Sequence, residues 1–162
     1  TARNKLHRIF HFFKQKESLL NVEGLVSVCH KLGTTHTGAL IVIERSVPLD
    51  FVIATGDKMN LELSGPIIES IFYKNSPLHD GAIVIRGNTI VATRVILPVA
   101  AEDTLPKHYG LRHRAAVSIT EKTDATALVV SEETGHISYF KNGNFVRFAN
   151  EEELIKMIQE DN

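Results

Sequence analysis

Three short stretches concentrate groups able to do chemistry: "LHDGA" at 78–82, "LRHRAA" at 111–116 and "VSEETG" at 130–135. In the first, His79 and Asp80 are adjacent, and Gly81 removes a side chain beside them. A carboxylate at a strand end can hold a divalent cation or polarise a hydroxyl. An imidazole can ligate a metal or donate to phosphate, and glycine lets the backbone approach a ligand closely. In the second, Arg112, His113 and Arg114 crowd potential positive charge at the start of an expected helix. Cations are unfavourable at that end of a helix. The arrangement makes sense if an anion sits there, because helix amides and guanidinium forks both favour phosphate. In the third, Ser131, Glu132 and Glu133 follow an apolar strand and precede Gly135, so the serine and a glutamate can face a ligand and its metal. Each cluster also has a bland reading: an Asp-Gly turn, a solvated basic turn, or a turn with glycine at positive φ. Together, carboxylates, guanidinium groups and imidazoles are the equipment of metal-assisted phosphoryl transfer, which needs positioning and charge neutralisation.

The elements that must carry these groups follow from hydrophobic periodicity. "RNKLHRIFHFFKQK" spaces Leu6, Ile9, Phe10, Phe12 and Phe13 as one helical face opposite a basic side. It reads as a core-packed amphipathic helix or as a juxtamembrane or partner helix. A second helix is expected over 22–32. "GALIVIER" (38–45) predicts a buried strand and "DFVIAT" (50–55) its neighbour. A helix should start at Ser64, with Pro66 in its first turn. "AIVIRGNTIVATRVIL" predicts two strands joined at Gly87-Asn88. Residues 97–110 read as a polar loop and "LRHRAAVSITEK" as a helix. Residues 125–148 read as strand, turn, strand, a hairpin turn at Asn142-Gly143, and a last strand. "NEEELIKMIQED" should close the chain as a helix capped by Asn150. Strands interleaved with helices and hairpins predict an α/β fold: a single domain with a mixed central β-sheet covered by helices.

The totals bound the function. The chain has 162 residues, 43% hydrophobic and 23% charged, with a formal net charge of -1, which suits one globular domain and argues against nucleic acid as a substrate. Cys29 is the only cysteine, so no internal disulfide is possible. No run approaches the roughly 18 apolar residues of a membrane span, and no signal peptide is visible. The sequence opens at Thr1 and not at Met, which leaves room for an upstream segment and any membrane anchor on it. "GTTHTGAL" has the glycine spacing of a phosphate loop, but Ala39 and Leu40 stand where Lys and Ser or Thr are required.

In order and spacing, the three clusters resemble the diadenylate cyclase domain family, over about Val22 to Phe148. The Asp-Gly-Ala and Arg-His-Arg triplets carry the resemblance, supported by "SEETG" and the context "SPLHDGAIVI". The "SPLH" lead-in and the "HISYFKNG" continuation are most similar to the membrane-anchored type. The resemblance implies an N-terminal helix at 1–20 and a catalytic domain at 21–162, cytoplasmic and anchored to a membrane in the full-length protein. It implies condensation of two ATP into cyclic di-AMP with release of two pyrophosphates, using Mn2+, Mg2+ or Co2+. Asp80 would polarise the ribose 3′-hydroxyl, and Gly81 and Ala82 would give backbone room beside the ribose. His79, Asp80 and Glu133 would approach the metal. Arg112, His113 and Arg114 would serve the triphosphate, with Arg112 its foremost direct contact, Ser131 and Glu132 its phosphates, and the backbone around Leu97 the adenine edge. Leu111 departs from the threonine often found before the Arg-His-Arg triplet. A missing neutral hydrogen bond is worth roughly 0.5–1.5 kcal/mol, so affinity should change while activity survives. The stretch "AAEDTLPKH" is also longer or more irregular than this family leads one to expect. The implied partners are ATP, a second copy of the chain in a transient homodimer or higher oligomer, and a membrane regulator acting through an upstream segment. The alternatives are a non-catalytic adenine-nucleotide sensor of the same fold and an unrelated α/β interaction domain whose clusters are turns.

Overall fold

The computed structural model describes residues 2, 5, 19–99 and 105–162. The amphipathic helix expected over 1–20 lies almost wholly outside the described residues, as does the middle of the 97–110 loop. In chain order the elements are α1 (Val22–Thr34), β1 (Ala39–Ile43), α2 (Asp50–Ile53), β2 (Asp57–Glu62), α3 (Gly65–Phe72), β3 (Ala82–Arg86) and β4 (Thr89–Val95). They continue as α4 (Leu111–Lys122), β5 (Thr126–Val130), β6 (Ile137–Lys141), β7 (Asn144–Val146) and α5 (Glu151–Asp161). The strands form one seven-stranded mixed sheet in the order β2-β4-β3-β1-β5-β6-β7. Among the described residues only the β1–β3 pair is parallel.

The central strands β1, β3 and β5 are apolar at every position but Arg86 and Thr126 because both faces are covered. In β1, Ala39, Ile41 and Ile43 enter one hydrophobic cluster with α1, α3 and α5, while Leu40 and Val42 enter a second with α2 and α4. The result is three layers with the sheet in the middle, so the expected single mixed α/β domain is what forms.

Local signals set several boundaries. Ser64 accepts the Ile67 amide at 3.3 Å and places Pro66 in the first turn of α3, where its missing N–H costs nothing. At α5, Asn150 accepts the Glu153 amide at 2.9 Å, and the Glu153 carboxylate accepts the Ala149 amide at 3.2 Å. One expectation fails: residues 50–53 of "DFVIAT" form the helical turn α2, not a strand beside β1. A short apolar run cannot be assigned by periodicity alone, and here Val52 and Ile53 bury into the second cluster from a loop crossing the sheet end. The strand is β2, where Lys58, Asn60 and Glu62 are exposed and alternate with half-buried residues. Such polar alternation belongs to an edge strand, which charged side chains protect from further pairing.

Candidate active site on one rim of the sheet

Ile41 lies opposite Ile83 in the parallel β1–β3 pair, and Ala39 lies opposite Val130 in the antiparallel β1–β5 pair. Gly38, Gly81 and Ser131 therefore leave three neighbouring strands at the same end. Adjacent strands are about 4.8 Å apart, so the Asp80 and Ser131 backbones sit roughly 10 Å apart along this rim.

Asp80 projects into solvent at the foot of β3, with its side chain 85% exposed. His79 lies beside it, with Nε2 at 3.3 Å from Asp80 Oδ1. The other ring nitrogen, Nδ1, is 2.7 Å from the Ser76 carbonyl. A carbonyl can only accept, so Nδ1 carries the hydrogen, and Nε2 faces the carboxylate in a fixed orientation. Gly81 is obligatory on two counts. Its φ is +84°, and an added Cβ would lie 2.8 Å from the Val95 carbonyl oxygen. Asp80 and Gly81 also line a cavity of about 280 Å³ shared with residues of β2 and β4.

The second and third clusters meet across a separate cleft of about 450 Å³, lined by the start of α4 and the 131–133 turn. The α4 N-terminus has no side-chain cap; Gly110 leaves its first amides open to an anion. The Arg112 guanidinium lies against the backbone at the foot of β1, where a Cβ on Gly38 would come 2.5 Å from Nη1. It is 3.8 Å from the Glu132 carboxylate. His113 stacks on Tyr109 at 5.4 Å between ring centroids. Burial, then the neighbouring charges of His108 and Arg112, pushes its imidazole pKa below the ordinary value, against a smaller opposing effect of Glu133. At neutral pH it is an uncharged ring, not a third cation. Ser131 Oγ accepts the Glu133 and Thr134 amides, each at 3.2 Å, and so shapes the turn that carries both glutamates.

The remaining predicted residues divide. Leu111 is exposed on the rim of the cleft, while Ala82 is fully buried in β3. Leu97 has its side chain in the core, leaving only its backbone for a ligand. Arg114 is half-buried on α4 and is not among the residues lining the cleft, since positions two apart on a helix face different ways. Sequence reasoning missed Gly38, Tyr109 and the β2–β4 side of the Asp80 cavity. A glycine just ahead of a buried strand was the available signal for Gly38; nothing local marks the others. Among the described residues no three His, Cys, Asp or Glu gather at one metal point. The His79–Asp80 pair still fits a hard divalent ion that completes its shell with water and phosphate oxygens. Glu133 lines the cleft and not the Asp80 cavity, so the three expected ligands do not converge within one chain.

The open helix start and the carboxylate–imidazole pair thus share one rim of an α/β domain with a mixed sheet. A family model described as DAC, DisA bacterial checkpoint controller nucleotide-binding, matches residues 26–145, and the chain belongs to this family. It is 44% identical over 119 residues to diadenylate cyclase CdaS of Bacillus thuringiensis, covering 74% of this chain and 59% of that protein. It is 41% identical over 137 residues to a diadenylate cyclase of Listeria monocytogenes, covering 85% of this chain and 50% of that one. The chain thus spans about half to three fifths of these relatives. Among solved structures, DacA from Staphylococcus aureus, as a double mutant, superposes with a TM-score of 0.82 at 36% identity, covering 86% of this chain and 93% of that one. A hypothetical membrane spanning protein from Bacillus cereus superposes with a TM-score of 0.75 at 41% identity, covering 79% of this chain and 63% of that one.

Proposed function

We propose that this chain is the catalytic part of a diadenylate cyclase, joining two ATP molecules into cyclic di-AMP. The observation that carries the reading is the shared rim: the Asp80 carboxylate and the Arg112 cleft open at the same sheet end, about two strand spacings apart. A triphosphate held at α4 and the 131–133 turn then brings its ribose to Asp80. In each transfer a 3′-oxygen bonds to the other nucleotide's α-phosphorus, the bond from that phosphorus to its bridging oxygen breaks, and pyrophosphate leaves. Asp80 accepts the hydroxyl hydrogen. His79 Nε2 and Asp80 would hold a divalent ion, Mn2+, Mg2+ or Co2+, whose remaining positions water and phosphate oxygens would fill; the ion would neutralise phosphate charge. Arg112 and the open amides of α4 hold the triphosphate, and His113, stacked on Tyr109, supplies a neutral donor.

The product has two-fold symmetry and one rim holds one nucleotide, so two copies must meet face to face in an isologous pair. Exposed Ile96, Val99 and Leu111 border this end of the sheet and supply apolar surface for such contact. The names of the relatives support the activity. The described residues contain no helix long and apolar enough to cross a membrane. An anchor on an upstream segment is the reading that the membrane-spanning description of the Bacillus cereus neighbour supports. Incubation with ATP and Mn2+, with chromatography for pyrophosphate and cyclic dinucleotide, tests the activity. ATP binding without turnover would point to a sensor, and no binding to an interaction domain.

A further inference from the structure

The cavity beside Asp80 holds a charged pair that the reaction above does not use. Arg94 Nε donates to Asp57 Oδ2 at 2.5 Å, and both side chains line this cavity with Asp80 and Ile96. The pair is half exposed, at 50% and 39% of the two side chains. Exposed pairs of this kind contribute little to stability. Yet Arg94 is held at φ +53°, a left-handed conformation that costs a non-glycine residue free energy. Arg94 lies at a bulge, where the β3–β4 register shifts between Ala82–Val95 and Val84–Ala92, and the side-chain-free backbones of Gly56 and Gly81 pack closely on this part of β4. The bulge aims Arg94 into the cavity beside the candidate catalytic carboxylate, as bulges next to active sites re-aim side chains.

Strand order says which part of the ligand. Along the rim the strands run β5, β1, β3, β4, β2. The triphosphate groups lie at β5, Asp80 lies at β3, and the pair lies across β4 and β2. A nucleotide stretched along the rim, with its ribose at Asp80, reaches the pair with its base. Ile96, 69% exposed in the same cavity, offers an apolar surface for the ring face. Thr55 Oγ1 accepts the Ile96 amide at 2.9 Å and pins that backbone.

We propose that Asp57 and Arg94 form a specificity-determining pair for the base, with Asp57 accepting from the 6-amino group of adenine and Arg94 positioning Asp57. This rests on reading the rim as an ATP site. The Arg94 hydrogen bond holds the Asp57 carboxyl below the usual carboxylate range, so it is an acceptor throughout neutral pH. A carboxylate has about four acceptor positions, and Arg94 takes one. A 6-oxo purine would set its own lone pairs against that acceptor, which is discrimination by repulsion.

Inosine triphosphate differs from ATP at this edge and is the probe. In competition binding and in product formation with Mn2+, the unaltered chain should favour ATP over inosine triphosphate by about tenfold or more. Asp57→Asn, whose amide can donate to a 6-oxo group, should bring that ratio towards one. Arg94→Gln should lower it too, because Asp57 loses its anchor. A ratio unchanged in both variants, or equal binding of the two nucleotides by the unaltered chain, overturns the assignment. An unaltered chain that binds neither nucleotide overturns the ATP-site reading itself, and the assignment with it.

Discussion

Asp80 and Gly81 show how much one rim position demands. Asp80 is almost fully exposed, so its carboxylate contributes little to packing, and its neighbour His79 is already oriented by the Ser76 carbonyl. Asp80→Asn should therefore leave the melting temperature unchanged and retain ATP binding. Cyclic dinucleotide formation should fall by about 10²–10⁴-fold, the usual contribution of a positioned acid or base. Turnover near that of the unaltered chain would remove Asp80 from the mechanism. The residue types in this cluster were legible before any fold was known, because adjacent imidazole and carboxylate ahead of a side-chain-free position is chemically conspicuous. The resemblance puts Arg112 and Arg114 both on the triphosphate side with Arg112 as the foremost contact, and helical geometry separates them further: Arg112 lines the cleft and Arg114 does not.

At the scale of elements, the glutamate turn depends on a contact far away in sequence. Gly135 has φ +76°, and its backbone packs on Gly33 at the end of α1 so closely that a Cβ on either would overlap the other's carbonyl. Gly135→Ala should cost about 1–3 kcal/mol in denaturant unfolding, since it adds strain at positive φ and a steric overlap. It should also weaken triphosphate binding, because the Ser131–Gly135 hydrogen bond at 2.9 Å closes the turn that presents Glu132 and Glu133. Stability and affinity equal to those of the unaltered chain would show that the turn tolerates a side chain there. Most elements were legible from period and caps, as Ser64 and Asn150 illustrate. The exchange of α2 for a strand, and the overlooked β2, share a cause. Val52 and Ile53 look alike in either conformation, and β2 is a polar edge strand without an apolar signature.

For the whole molecule, the proposed reaction requires two rims. Activity per unit of protein should rise with protein concentration in dilute solution and level off once pairing is complete; a flat dependence would mean a preformed pair or a different reaction. The sequence by itself determined the chemical inventory, the mixed α/β class and the family resemblance, because residue type, local period and motif order are written along the chain. Only the tertiary structure decided that Gly38 backs Arg112, that Glu133 sits apart from His79 and Asp80, and that Asp57 and Arg94 meet in the Asp80 cavity. Those relations depend on which strands become neighbours and in what register, and strand pairing is settled by burial across the entire sheet, not by any stretch that a local pattern can describe.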